Sequence, residues 1–253
     1  MQEAAAIMAA GKGTRMGTDL PKVAHVAAGK TLVRWAVEAC QAAGIERIVV
    51  IVGYREEVVR AELADLPVEF AVQAEQKGTG HAALQARQVL GDTPGRLFVL
   101  NGDMPFIDGA TLSALRAEHE RSGADMVLTT IVPAAPLEYG RVIRDADGGI
   151  LGVIEERDCT PEQAAVRELN IGFYVFETPG IWAVLEGLST ANAQGEMYIT
   201  DTAAAYARAG GRVAAVPVPE RIGLGVNTTE QLAAIDALLR EVHGLPPVEE
   251  SES

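Results

Sequence analysis

Ala4-Ala5-Ala6-Ile7-Met8-Ala9-Ala10-Gly11-Lys12-Gly13-Thr14-Arg15-Met16-Gly17 runs from a short apolar segment straight into a glycine-rich loop. The glycines permit positive φ and close approach to a ligand. Lys12 and Arg15 sit among them, Thr14 adds a neutral donor, and Lys22 follows after Leu20-Pro21. A strand feeding such a loop suits a polyphosphate, because backbone N–H groups converge on oxygens while cations neutralise them. A plain glycine turn with surface cations is the other reading of these residues. Two familiar phosphate motifs do not match. A Walker A loop needs Lys and Ser or Thr after its last glycine, whereas Gly17 precedes Thr18-Asp19. The dinucleotide fingerprint needs a glycine where Met16 stands. The loop belongs to some other phosphate-handling class.

Outward from this loop, helical and strand-like segments alternate. Residues 31–43 read as a helix with Leu32, Trp35, Val37, Ala39 and Cys40 on one side, ended by Gly44. Ile48-Val49-Val50-Ile51-Val52 and Leu97-Phe98-Val99-Leu100 are unbroken apolar runs of strand length. Such runs suit strands buried on both faces of a parallel sheet. Helices are expected at 56–66 and 80–90, and a strand at 68–72. This alternation predicts a doubly wound, mostly parallel α/β sheet. Ligands bind such sheets at the carboxyl ends of the strands, which singles out the loops at 9–22, 73–80 and 101–105. Further on, strands are expected at 126–132, 170–176 and 213–218, and helices at 179–188, from Asp201 to 209, and at 228–242. Residues 141–144 and 150–154 flank Asp147-Gly148-Gly149, a hairpin signal. One domain over residues 1–243 is expected, with a hairpin-bearing lobe over the sheet edge. The Pro- and Glu-rich tail, 244–253, is expected to be disordered.

The bulk numbers restrict the function. The chain has 253 residues, is 48% apolar and carries a net charge of −14, with no basic run, so nucleic acid is an unsuitable partner. Residues 9–30 nevertheless hold Lys12, Arg15, Lys22 and Lys30 against Asp19 alone. A basic patch in an acidic body can focus a small anion. Cys40 and Cys159 form neither a metal spacing nor a disulfide framework. Met1-Gln2-Glu3 lacks a signal peptide's basic region, and no span approaches the ~20 apolar residues of a membrane helix. A soluble, cytoplasmic protein without a membrane partner is expected.

Three loops carry candidate chemistry. Asn101-Gly102-Asp103 follows a buried-type strand, so Asp103 is placed as a Mg²⁺ ligand or as part of an Asx-type turn before Pro105. Asn227 reads as a helix N-cap or as a second oxygen ligand for the same ion. Gln73, in Gln73-Ala74-Glu75-Gln76-Lys77-Gly78-Thr79-Gly80-His81, has an amide able to read a pyrimidine edge; a plain turn is the alternative. His81 starts a helix and reads as structural. Tyr139-Gly140, Glu155 and Asn170-Ile171-Gly172 offer polar contacts to a hydroxylated ligand such as a sugar. No base–nucleophile spacing marks a catalytic triad.

Taken together, Ala9 to Met16 with Pro21-Lys22 resembles the signature of sugar-1-phosphate nucleotidyltransferases. Residues 73–82 and Asn192-Ala193-Gln194-Gly195-Glu196-Met197-Tyr198-Ile199-Thr200-Asp201 narrow the likeness to the uridyltransferase domains of bacterial N-acetylglucosamine-1-phosphate uridyltransferases. The resemblance spans residues 4–242, and the joint order of the motifs is more specific than any one of them. It implies a Rossmann-like nucleotide-diphospho-sugar transferase fold, UTP and N-acetylglucosamine-1-phosphate as substrates, and Mg²⁺ as cofactor. The implied products are UDP-N-acetylglucosamine and diphosphate.

By this resemblance Arg15 and Lys22 are the catalytic cations on the phosphates. Ala9, Ala10, Gly11, Gly13, Gln73, Gly78, Thr79, Gly102 and Asp103 form the nucleotide site. Gly140, Glu155, Asn170 and Asn227 contact the nucleotide sugar, and Asp103 and Asn227 hold the metal. Asn101 stands where the family usually has Tyr, Ile171 where it has Thr, and Met8 where it has Leu. Such enzymes usually continue into a hexapeptide-repeat β-helix with acetyltransferase activity; no such repeat occurs here, so that activity is not expected. The alternatives are another sugar phosphate or dTTP, and a catalytically silent nucleotide-sugar sensor.

Overall fold

The computed structural model describes residues 1–247. The first strand, β1 (Gln2–Met8), buries its Ala4-Ala5-Ala6-Ile7 centre. After the glycine-rich loop, the small ladder β2 (Val26–Ala27) and β3 (Lys30–Thr31) leads into α1 (Leu32–Ala42). Next come β4 (Arg47–Val52), α2 (Glu56–Glu62) and β5 (Glu69–Val72). The helix expected at 80–90 is two pieces, α3 (Thr79–Gln85) and α4 (Arg87–Leu90), meeting at Ala86 before β6 (Gly95–Asn101).

The second half holds α5 (Gly109–Ser122), β7 (Met126–Ile131), β8 (Gly140–Arg144) and β9 (Ile150–Ile154). A short α6 (Pro161–Ala164) precedes β10 (Leu169–Thr178), α7 (Gly180–Glu186) and α8 (Asp201–Arg208). The last elements are β11 (Val213–Pro217) and α9 (Thr229–Val242). Helix α5 is absent from the sequence-based expectation. Its signals were present: Asp108 caps it by accepting from Thr111 N at 2.7 Å, and Gly123 ends it in the left-handed region. Of the tail, Leu245 N donates to Arg240 O at 2.8 Å and Arg240 donates to Pro246 O at 2.9 Å. Residues 248–253 lie outside the described residues.

The main sheet runs β11-β7-β10-β6-β1-β4-β5. Every neighbouring pair is parallel except the two made by β10, which is antiparallel to β6 and to β7. The mostly parallel doubly wound α/β sheet expected from the alternation is thus the architecture. Its two faces follow from the period of two in a strand. Phe98 and Leu100 join α1, α5 and α9 in one core, while Leu97 and Val99 join α3, α7 and α8 in the other. The β8–β9 hairpin pairs through β8 with Leu169 and Asn170 of β10, which also pair with β7, and a register shift against β7 lies between Asn170 and Tyr174. Among the described residues no helix is long and apolar enough to cross a membrane.

Two features position the site. Met8 pairs with Ile51 of β4 and Asn101 of β6, and Val52 pairs with Val72, so four parallel strands end at one level. The chain goes from β1 to β4 and β5 on one side and then crosses back to β6 on the other, so the strand order reverses at β1 and opens a crevice above it. At the opposite end the sheet is tied by charge. Glu3 pairs with Arg96, and Arg116 donates to both of its carboxylate oxygens at 2.7–3.0 Å. Burial works against the Glu3 charge, but the hydrogen bonds from Arg116 and Arg96 outweigh it and hold the carboxyl below its ordinary pKa. A depressed folded pKa stabilises above the unfolded value and is lost as pH falls through the folded one. Glu3→Gln is therefore expected to lower stability at neutral pH, with the difference from wild type shrinking below about pH 4. Urea unfolding across that range is the check, and a constant difference would remove the assignment.

Candidate active site

Backbone hydrogen bonds hold the glycine-rich loop over the crevice. Ala9 N donates to Ile51 O at 2.9 Å, and Ala10 O accepts from Tyr54 N at 3.1 Å and Gln76 Nε2 at 2.7 Å. Gly102 N donates to Met8 O at 3.0 Å, which locks the 101–105 turn beside the loop. Gly13 has φ of 67° and lies on the Lys22 stem, where an added Cβ would stand 2.6 Å from the Lys22 Cβ. The loop thus folds back and presses Lys22 into the crevice.

Lys22 is the centre of a polar chain. Its ammonium pairs with Asp103 Oδ2 and donates to Asn227 Oδ1 at 3.0 Å, and Arg15 donates to the same Asn227 oxygen at 2.9 Å. Asn227 arrives from more than 200 residues away. It is brought there because Val226 N donates to Asp103 O at 3.0 Å. The N-cap of α9 is Thr228, whose hydroxyl accepts from Gln231 N, so the Asn227 side chain is left to face the cations.

Two cavities meet at this chain. One, of about 270 Å³, is lined by Ala9, Ala10, Gly11, Gln73, Gly78 and Thr79, with Lys22 and Asp103 at its end. The other, of about 750 Å³, is lined by Arg15, Asn227, Tyr139 and Glu155. A comparably sized apolar groove along α9, lined by Val26, Leu232 and Leu245, holds none of these groups. In the second cavity Glu155 Oε1 accepts from Thr200 Oγ1 at 2.8 Å. Burial, reinforced by Asp201 and Asp158, pushes the Glu155 carboxyl above its usual pKa. Tyr139 donates to Gly223 O at 2.6 Å, and burial pushes its phenol up to about 12.

The structure therefore gathers Arg15, Lys22, Asp103 and Asn227, and places the residues of loops 9–11 and 73–79 around one cavity. Gly140 is buried against Glu155. Asn170 is also buried, but its amide donates to Tyr174 OH at 2.8 Å and it is not on the wall of either cavity. Sequence reasoning passed over Gln76, Asn101 and Glu196, which all line the first cavity. Gln76 and Glu196 lie within the 73–82 and 192–201 motifs, and only the fold shows that their side chains reach the cavity wall. The 192–201 motif acts as a clamp: Met197 N donates to Lys77 O and Gly80 N to Met197 O, each at 2.8 Å, and Ile199 N donates to Thr79 Oγ1 at 3.0 Å. Among the described residues no cluster of three or more His, Cys, Asp or Glu could hold a metal. A hard cation here would have Asp103, the Asn227 oxygen and ligand oxygens.

A strand-end crevice with a cationic loop on one side and a polar cavity on the other is an α/β-domain site suited to a phosphate-bearing ligand. The sequence model of the MobA-like NTP transferase domain matches residues 5–146, and the chain belongs to that family. It is 44% identical over 241 residues to the bifunctional protein GlmU of Pelotomaculum thermopropionicum, covering 95% of this chain and 52% of that protein. It is 45% identical over 238 residues to the bifunctional protein GlmU of Syntrophotalea carbinolica, covering 94% of this chain and 51% of that one. The likeness read from the motifs thus extends over nearly the whole chain. The chain spans about half the length of the curated relatives it matches.

Proposed function

We propose that this chain is a sugar-1-phosphate nucleotidyltransferase that transfers UMP from UTP to N-acetylglucosamine-1-phosphate and releases diphosphate. The observation that carries this reading is the Arg15–Asn227–Lys22–Asp103 chain standing where two cavities meet. The base and ribose would occupy the cavity beside Gln73, Gly78 and Thr79. The amino sugar would occupy the larger cavity, with Glu155 accepting from a hydroxyl and Gly140 packed behind that carboxylate. The two phosphate groups would then meet at Lys22.

The chemistry fits the inventory. The sugar phosphate oxygen attacks the α-phosphorus of UTP, forming one P–O bond as the bond to diphosphate breaks. The nucleophile is already an anion, so no general base is needed. Two polyanions must be brought together, and the protein supplies neutralisation and alignment. Lys22 can move from Asp103 to the α-phosphate, and exposed Arg15 can fold onto the departing oxygens. The donor set also suits Mg²⁺, because Asp103 Oδ2 and Asn227 Oδ1 already converge on a single small cation, the Lys22 ammonium. Bound there, Mg²⁺ would offset charge on the phosphate oxygens.

The test is diphosphate release across a panel of nucleoside triphosphates and sugar phosphates with Mg²⁺. Preference for UTP and N-acetylglucosamine-1-phosphate supports the reading, and no turnover with any pair sinks it. Asn101, on the wall of the nucleotide cavity, favours a second reading in which dTTP or another sugar phosphate is used; the same panel separates the two. Gln73→Ala is expected to cut the preference for UTP over CTP about tenfold, with a smaller change in the maximal rate. An undiminished preference would remove Gln73 from base selection.

A further inference from the structure

Gln73 is buried at the end of β5, and its amide is held in one orientation. Its Nε2 lies 3.1 Å from the Gly78 carbonyl oxygen and 3.0 Å from His81 Nδ1. A carbonyl only accepts, so the group that faces Gly78 is the NH₂. The same NH₂ points at Nδ1, so Nδ1 accepts and the neutral imidazole carries its proton on Nε2. Both amide hydrogens are then held within the loop. Among the described residues no donor reaches the Gln73 oxygen, and Gln73 lines the nucleotide cavity. Its contribution to that cavity is a lone acceptor.

We propose that His81 is a positioning residue: by accepting from Gln73 it fixes the amide so that the cavity selects a base with a ring N–H, uracil, over one with a ring acceptor, cytosine. The inference rests on reading this cavity as the nucleotide site. Uracil N3–H can donate to the fixed oxygen, whereas cytosine N3 would bring a lone pair against it. His81 does not line the cavity and acts only through Gln73. Its backbone is set independently, since Gln85 Nε2 donates to His81 O at 2.9 Å.

The arrangement makes selection depend on His81 protonation. Protonated Nδ1 would set N–H against NH₂. Turning the amide would instead set its oxygen against the Gly78 carbonyl, so neither orientation is free of conflict and the acceptor-only wall is lost. The charged groups acting on the ring are Lys77 and Glu75, both from the loop before α3. Burial, then Lys77, lowers the His81 pKa below its ordinary value against the pull of Glu75. Uracil preference is therefore complete at neutral pH and declines only as pH falls below the usual imidazole range.

The test measures the ratio of kcat/KM for UTP to that for CTP, and the Kd of each by calorimetry. In wild type the ratio is expected to be level from about pH 8 to about pH 7 and to fall toward about pH 5. Protonation of the triphosphate is common to both nucleotides and cancels. Cytosine N3 itself gains a proton at the acid end of this range and could then donate to the Gln73 oxygen, so the wild-type fall is read as its excess over the fall in His81→Asn. His81→Leu, which has no acceptor, is expected to lower the ratio about tenfold at neutral pH. His81→Asn, whose Oδ1 can stand in for Nδ1, should keep the ratio at neutral pH and leave only the shallower acid-end fall that comes from protonation of cytosine itself. An unchanged ratio in His81→Leu, an equal loss in both variants, or a wild-type fall no steeper than that of His81→Asn would each overturn the inference. His81→Asn keeps an acceptor for the amide but does not titrate, so comparing its pH profile with that of wild type leaves the question decidable even if His81→Leu misfolds. Failure of wild type to bind or turn over UTP overturns the proposed function instead.

Discussion

Asp103→Ala is expected to lower kcat by about a thousandfold while leaving the fold standing. Asp103 ends the turn after β6, and its side chain is only 18% exposed, at the junction of the two cavities. Its carboxylate is the charge that pairs with Lys22 and, with Asn227, offers oxygens to one small cation. Alanine would leave Lys22 bonded to Asn227 alone and would remove the one anionic donor from that cation position. The side chain borders open space and packs in neither core, so its loss creates little cavity. The checks are kcat, a Mg²⁺ titration of activity and a thermal melt. An unaltered Mg²⁺ dependence would remove Asp103 from the metal position. A collapse of Tm would show that the Lys22 pair serves the fold instead.

Gly78→Ala is expected to destabilise the protein by about 3 kcal/mol and to abolish measurable UTP binding. Gly78 has φ of 105°, outside the region that side chains readily adopt. Its Cβ would stand 2.6 Å from Met197 O and 2.9 Å from Met197 N. Those are backbone atoms held by hydrogen bonds to Lys77 and Gly80, so no side-chain rotation relieves the contact. The base loop would have to lift from the 192–201 segment, carrying the Gly78 carbonyl away from Gln73. Gly17→Ala is the control. Gly17 also has positive φ, but nothing lies within 4 Å of its added Cβ, so a cost of about 1 kcal/mol is expected. Chemical denaturation and calorimetric UTP titration of both variants are the measurements. Equal costs would mean that strain alone, and not the Met197 contact, makes glycine necessary at 78.

Much of the site was legible because its signals are local. A buried apolar run followed by glycine and a charged or amide residue announces a strand end and its loop, and three such loops flagged Arg15, Gln73 and Asp103. Helix α5 shows the opposite case. It has Asp108 and Gly123 as clear ends, yet its buried stripe of Thr111, Leu112, Leu115 and His119 is interrupted by charges and makes a weak apolar pattern. The split of α3 from α4 at Ala86 was likewise invisible, since alanine favours an unbroken helix. Asn170 was chosen for its motif, but its amide proved to be bonded to Tyr174 beneath the cavity.

The sequence by itself determined which segments are strands buried on both faces, where each ends, and which residue types stand in the loops that follow. Periodicity and glycine placement are properties of a few neighbouring residues, so they survive without a partner. Only the tertiary structure decided that β10 runs against its neighbours, that Asn227 turns to Lys22 and not to its own helix, and that the 192–201 segment clamps the base loop. It alone decided which way the Gln73 amide faces. Each of these depends on a contact between groups far apart in the chain, and such a contact is chosen by packing and hydrogen-bond complementarity that no single segment contains.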